Sequence, residues 1–367
     1  MPGRIVLFGA TGYTGRLTAE ALVARGERPL LAGRSANSLS ALSGDLGGEL
    51  DTAVADVERP ETVAALVEPG DVLVSTVGPF VRWGEPAVEA AISKRAAYLD
   101  STGEPGFIRA VFERYGPRAE AARIGLVTAF GYDWVPGNLA GALALEQAGA
   151  DAVRIDIGYF FTGGAGMSGG TRATTAIGAI EPSFVWRRGI KTERIAARVR
   201  SFDVRGRSRP AVSAGSSEHF ALPRLYPSLE EVNAYLGWFG GASRPMQAFS
   251  LVGAGLAKLP GARSGMRALA GRLVKGSTGG PSAEERSRSG SHIVAIAYDR
   301  AGGALAEVAV AGVNGYEFTG RILAWGASRA LADGLNGPGA LGPVEAFGLA
   351  GLEAGCAEAG ISRVEAP

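Results

Sequence analysis

The chain is poor in the residues that build metal and disulfide chemistry. Cys356 is its single cysteine, so no intrachain disulfide can form, and a reducing compartment fits. His219 and His292 are the only histidines, and no His-Glu-x-x-His or Cys/His cluster occurs, which argues against a metal site. A Ser-His-Asp hydrolase would have to draw on one of those two histidines. Neither sign of charge dominates: the formal net charge is +1, so bulk electrostatics point to neither a nucleic-acid nor a membrane partner. Only four lysines accompany 33 arginines, beside 56 glycines, a bias that reads as GC-rich coding and not as function. No run approaches the roughly 18–20 apolar residues that span a bilayer. The first strand begins near Arg4, too early to leave room for a signal peptide. The expectation is a soluble, cytoplasmic protein without a transmembrane segment.

What is present is a two-part pattern. At 367 residues the chain exceeds the size at which single cores stop growing. In the first part, strand-like runs Arg4–Gly9, Pro29–Gly33, Asp51–Ala55, Asp71–Val77, Ala97–Asp100 and Leu126–Phe130 alternate with helical spacing. Thr11–Arg25, Asn37–Leu46, a segment opened by Pro60, and Glu85–Lys94 supply the helices. Such alternation implies right-handed crossovers and a mainly parallel sheet. From Val153 the runs lengthen and alternate, in Val153–Phe161, Ile195–Val204, Ile293–Tyr298 and Leu305–Val313, which suits a mixed sheet. Gly320–Leu335 and Val344–Glu358 return to helix. The expected class is α/β: a Rossmann domain at 1–135, an inserted α+β domain at 136–315, and C-terminal helices at 316–367 packing back on the first domain.

The chemistry begins at Gly9-Ala-Thr11-Gly12-Tyr13-Thr14-Gly15, between the first strand and the first helix. Gly9 permits a tight turn, Gly12 lets backbone approach a pyrophosphate, and Gly15 lets helix and strand pack closely. The helix N-terminus then presents free N–H groups to the phosphates. A glycine triplet alone says little, but strand before and helix after is the context that gives it meaning. The second strand ends in Arg34-Ser35, where an NAD site would carry a carboxylate. Arg34 and Ser35 suit a 2′-phosphate instead, so the expected cofactor is NADP(H). Val77-Gly78-Pro79, after the fourth strand, is placed to lie along the nicotinamide ribose; the same residues would also serve as a plain turn. Ser101, Thr102, Gly103 and Glu104 follow the fifth strand, and Tyr132 and Asp133 the sixth, where open α/β sheets bind ligands. Asp133 and Glu104 also read as helix caps. Ser168 and Thr171 sit in a glycine-rich loop, as catalytic candidates or as loop-stabilising residues. No tyrosine has a lysine four residues on, so the dyad of short-chain dehydrogenases is missing.

Taken together, these segments resemble the saccharopine dehydrogenase-like oxidoreductases, especially the branch of trans-acting enoyl reductases. The likeness runs through Gly9–Gly15, Ala32–Ser35, Val77–Phe80, Gly84-Glu-Pro86, Tyr98–Glu104, Gly131–Pro136 and Ser168–Thr171, in family order over about the first 175 residues. It implies a Rossmann domain with an inserted mixed-sheet domain and NAD(P)-dependent reduction, on this branch of an acyl or polyketide chain on a carrier. It also implies a Thr-Gly-Glu loop and a Gly-Phe-Asp-x-x-Pro turn near the cofactor. Tyr132 here replaces the Phe, and Asn138 the usual Asp after the proline.

Three functions follow as candidates. The first is NADPH-dependent reduction of an enoyl C=C, with Tyr132, Asp133, Ser168 and Thr171 as the catalytic set. The second is saccharopine-type imine reduction or amine oxidation, for which Arg154, Arg172, Arg187 and Arg188 are available to hold an amino diacid. The third is a non-catalytic NADP-binding sensor or lipid-associated protein. Between Glu231 and Glu284 every charge is positive: Arg244, Lys258, Arg263, Arg267, Arg272 and Lys275. That stretch, 244–275, is either a solvated helical face or a docking surface for an acidic carrier protein or anionic lipid.

Overall fold

Ile5–Phe8 (β1) is four apolar residues buried on both faces, as a central parallel strand must be. In the computed structural model, which describes residues 3–163, 182–238, 240–256 and 279–364, it lies inside a seven-stranded sheet. Its neighbours are Leu30–Gly33 (β2) and Val72–Ser75 (β4); Thr52–Val54 (β3), Ala97–Asp100 (β5), Gly125–Val127 (β6) and Gly339–Ala340 (β15) complete the order β15-β6-β5-β4-β1-β2-β3. Every pairing is parallel. The expected Rossmann sheet is present, with the two-residue β15 added at its edge.

The sixth strand is shorter than its apolar run Leu126–Phe130 suggests. The buried Asp100 carboxylate accepts Thr128 Oγ1–H at 2.7 Å and Ala129 N–H at 2.9 Å, drawing the chain out of the ladder. Ala129 there adopts φ +59°. The helix Gly315–Asp333 packs back against the helix Tyr13–Ala24. Gly320 makes the approach close, because a Cβ there would stand 2.9 Å from the Leu17 backbone.

The second sheet is mixed, as expected. Arg154–Gly163 (β7) is central, between Glu231–Leu236 (β12), which runs parallel to it, and Ser289–Tyr298 (β13), which runs antiparallel. Val199–Asp203 (β10) and Ser208–Ala214 (β11) extend it on one side; Ala304–Gly312 (β14) and Ile361–Arg363 (β16) extend it on the other. Pro182–Arg187 (β8) and Ile190–Arg194 (β9) form a hairpin attached to β12. The run Ile195–Val204 is strand only from Val199, since Ala196 turns the chain at φ +53°. The helical run Val344–Glu358 is two helices, Pro343–Phe347 and Leu349–Glu358, broken at Gly348 with φ +71°.

The helix Val135–Ala148 is apolar nearly all round and is buried from Val135 to Leu145. It leaves the turn after β6 and lies beneath the second sheet, against β7, β13 and β14. Ile155, Ile157 and Tyr159 of β7 point into this main core, and Phe160 points the other way, into a small cluster with Phe202, Tyr235 and Val294. The turn Gly131–Trp134 therefore stands where the two sheets meet. Among the described residues no helix is long and apolar enough to cross a membrane.

Candidate active site

The glycine turn has the geometry its spacing predicts. Gly9 has φ +89°, and a Cβ there would lie 2.7 Å from Thr76 Oγ1. At Gly15 a Cβ would meet the Gly9 carbonyl at 2.1 Å. Gly12 is the N-cap of the helix Tyr13–Ala24 and offers no side chain, so the first N–H groups of that helix are left for an anion. Thr11 is exposed beside them. The Tyr13 side chain is committed elsewhere: its hydroxyl donates to the Pro281 carbonyl at 2.5 Å, and its ring meets Tyr316 edge-on at 5.3 Å.

Arg34 is exposed at the end of β2 and makes no ion pair or hydrogen bond among the described residues. Ser35 caps the helix Ala36–Asp45, its Oγ accepting Ser38 N–H at 3.3 Å. A free guanidinium beside a capped helix N-terminus, with no carboxylate at the strand end, fits a 2′-phosphate. Val77, Gly78 and Pro79 turn the chain after β4 into the short helix Phe80–Trp83. The buried Glu104 carboxylate accepts both Phe80 N–H and Val81 N–H, at 2.7 and 2.9 Å. Glu104 does cap a helix, but the one at Phe80 and not the one it precedes in sequence.

Near the carboxyl ends of β5 and β6 lies a cavity of about 100 Å³. Thr14, Ser101, Gly131, Tyr132 and Asp133 line it from the Rossmann side. Phe161, Trp238, Tyr316 and Thr319 close it from the other elements. Tyr132 stacks on Phe161 at 5.2 Å, and Phe161 on Trp238 at 5.2 Å, so one wall is a run of aromatic faces. Gly103 faces Asp133, where a Cβ would stand 2.8 Å from Oδ2.

Asp133 does not cap the helix that follows, whose N-cap is Trp134 with no side-chain bond. Its Oδ1 is buried without a hydrogen-bond partner, and burial raises the carboxyl to about 7. The backbone around it is held tightly. Tyr132 N–H donates to Thr319 Oγ1 at 3.0 Å, Trp134 N–H to Ala129 O at 3.0 Å, and Val135 N–H to Gly131 O at 2.9 Å. Asn138 Nδ2 donates to Trp134 O and to Ser217 Oγ, both at 2.9 Å. Asn138 is thus part of the scaffold. The Tyr132 hydroxyl donates to Phe160 O at 3.2 Å, and burial lifts its pKa far above the phenol range.

The structure thus brings Ser101, Gly103, Tyr132 and Asp133 together, with Thr14 at their edge. Ser168, Thr171 and Arg172 lie outside the described residues, as do Lys258, Arg263, Arg267, Arg272 and Lys275; Arg244 is exposed. Phe161, Trp238, Tyr316 and Thr319 are not singled out by the sequence; Phe161 lies near the end of β7, Trp238 just after β12, and Tyr316 and Thr319 in the first turns of the helix Gly315–Asp333. Of the arginines considered for a diacid, Arg154 pairs with Asp156 at 3.7 Å and lies 4.1 Å over the Tyr298 ring. Arg187 pairs with Glu231, and Arg188 with Glu230.

Residues 5–124 match the saccharopine dehydrogenase NADP binding domain. The trans-acting enoyl reductase of Mycobacterium leprae is 39% identical over 140 residues, covering 37% of this chain and 34% of that protein. A Mycobacterium tuberculosis protein provisionally given the same name is 41% identical over 140 residues, or 37% of this chain and 33% of its own length. The chain therefore spans about a third of the curated relatives it matches. Saccharopine dehydrogenase (L-Glu forming) of Saccharomyces cerevisiae superposes over 96% of both chains with a TM-score of 0.59 and 13% identity, a likeness of fold. The N-terminal unit, residues 5–124, is of the saccharopine dehydrogenase NADP-binding kind, and its cofactor is NADP(H).

Proposed function

We propose that this chain is an NADPH-dependent oxidoreductase that reduces the C=C bond of an enoyl thioester, with Asp133 as the acid that protonates the α-carbon. The cavity carries this reading. It has an aromatic wall, a single carboxyl of raised pKa, and no arginine or lysine among its described lining residues. An amino diacid would need convergent cations, and Arg154, Arg187 and Arg188 are already paired with carboxylates away from the cavity. The names of the mycobacterial relatives belong to the same class of reaction.

When bound, NADPH supplies a hydride to the β-carbon. The chain's own residues do the rest. Gly9, Gly12 and Gly15 cradle the pyrophosphate, Arg34 and Ser35 hold the 2′-phosphate, and Val77–Pro79 lies along the ribose. Ser101, at the cavity edge, donates a hydrogen bond to the thioester oxygen as it gains charge. Asp133, protonated near neutral pH, gives its proton to the α-carbon, and the aromatic wall keeps water out. Residues 1–135 hold the cofactor and 136–315 the acyl group. The acyl group arrives on an acidic carrier protein, drawn to the positive stretch from Arg244 to Lys275, and the enzyme works in the cytoplasm.

The test is NADPH consumption with a trans-2-decenoyl N-acetylcysteamine thioester. The wild type turns over, and Asp133→Asn slows by about a hundredfold or more. Turnover of a 2-oxo acid with an amine, and none of the enoyl thioester, would overturn the reading. Tight NADPH binding with no turnover of either would mark a sensor instead.

A further inference from the structure

Beneath Asp133, out of the cavity, lies a buried pair that the chemistry above does not use. The Tyr159 hydroxyl stands 2.6 Å from Glu218 Oε1 and 3.1 Å from the Trp134 carbonyl, the peptide oxygen immediately after Asp133. Gly137 leaves room for the pair, since a Cβ there would lie 1.9 Å from the Tyr159 hydroxyl and 2.5 Å from Glu218 Oε1. Glu218 is fully buried; among the described residues its Oε2 makes no hydrogen bond, its polar surroundings beyond Tyr159 are the Ser216 hydroxyl and its own backbone N–H, and no cation faces it. A hydroxyl has one proton, and a carbonyl can only accept. When Glu218 is ionised, Tyr159 donates to it and the Trp134 carbonyl keeps the Asn138 side-chain amide at 2.9 Å and backbone N–H at 3.2 Å. When Glu218 is protonated it donates to Tyr159, which is then free to donate to Trp134 O.

We propose that Tyr159 and Glu218 are positioning residues for Asp133, fixing the Trp134 carbonyl and, through the protonation of Glu218, tuning the acid in the cavity. Burial raises Glu218 to about 7, close to Asp133, and the Asp133 carboxylate adds to the rise at Glu218, so the two carboxyls titrate in the same range. The titratable groups facing Asp133 are Tyr132 on its own turn, Tyr159 of β7, Glu218 on the helix Glu218–Leu225, and Tyr316 on the helix Gly315–Asp333. None of them is a cation. This role rests on the reading of Asp133 as the proton donor.

The test uses the full chain with NADPH and the decenoyl thioester, in Tyr159→Phe, Glu218→Gln and Asp133→Asn. Tyr159→Phe should lower kcat on the order of tenfold to a hundredfold, with KM and NADPH affinity unchanged. Glu218→Gln removes a like charge, so the Asp133 midpoint should fall by about half a pH unit or more. That midpoint is followed without turnover by the infrared band of the protonated carboxyl, assigned through its loss in Asp133→Asn. The alkaline limb of kcat should move to lower pH with it. If Tyr159→Phe does not fold, Glu218→Gln decides alone. Wild-type kcat in Tyr159→Phe and an unmoved midpoint in Glu218→Gln would overturn the pairing. Full activity in Asp133→Asn would overturn the functional reading instead, and the infrared midpoint would still decide whether the carboxyls are coupled.

Discussion

The Glu104 carboxylate holds the Phe80 N–H at 2.7 Å across 24 residues of sequence, and with its second oxygen it holds Val81 N–H at 2.9 Å. It thereby ties the loop after β5 to the loop after β4, the two that flank the proposed nicotinamide position. Glu104→Gln keeps the shape but turns one acceptor into a donor facing an N–H. The buried amide left unpaired costs about 1–3 kcal/mol. NADPH affinity, read by fluorescence titration, should fall by tenfold or so, on the same arithmetic. A variant that binds as tightly as wild type would show that the loop needs no such tie.

Among the described residues Arg34 has no partner of its own to lose, so its replacement reports on the cofactor. Arg34→Ala should weaken NADPH by about 1.5–3 kcal/mol, the range for a charged hydrogen bond, and leave NADH nearly unchanged. The wild type should prefer NADPH by about tenfold or more. Equal titration of both cofactors by the wild type would remove Arg34 from the site.

The raised pKa of Asp133 also has a consequence for stability. Its folded value, about 7, lies above the ordinary 3.8, so the folded state binds the proton more tightly than the unfolded chain. Stability is highest below the ordinary value and is lost as pH rises toward 7. Asp133→Asn removes that loss. At pH 8 the variant should be more stable by on the order of 4 kcal/mol, from a rise of about three pH units at about 1.4 kcal/mol each, and at pH 4 little changed. Thermal melts at the two pH values measure the difference, and a variant less stable at pH 8 would contradict it.

Gly137→Ala should drive Tyr159 and Glu218 apart, because the added methyl has no place to go. Overpacking of this kind costs about 1–3 kcal/mol. A chemical-denaturation midpoint equal to wild type would show that the pair can move aside.

Much of the first domain was legible because its signals are local. A buried parallel strand is a continuous apolar run, and the glycine turn sits within seven residues. The end of β6 was not, because it is set by Asp100, a residue 28 positions away from Thr128. In the second sheet β8, β9, β11 and β12 carry charges that sequence alone reads as solvated. In the fold several charges of this sheet and its loops answer one another, as Arg187 does Glu231, Arg198 does Glu193, and Arg200 does Asp156. At the site, Tyr132, Asp133 and Ser101 could be found because they follow parallel strands. Phe161, Trp238 and Tyr316 reach it from distant elements, Tyr159 and Glu218 lie beneath it, and no short pattern announces any of them.

The two short strands near the end of the chain, β15 and β16, go to different sheets: β15 pairs with β6, and β16 pairs with β14. During vectorial synthesis, then, the first sheet gains its last edge strand only once residue 340 has emerged from the ribosome, and the second only once residue 363 has. The edge of β6 stays bare until residues 339–340 have been made and that of β14 until residues 361–363 have, each open meanwhile to pairing with another nascent chain, so the aggregation hazard of this fold lies in those intervals.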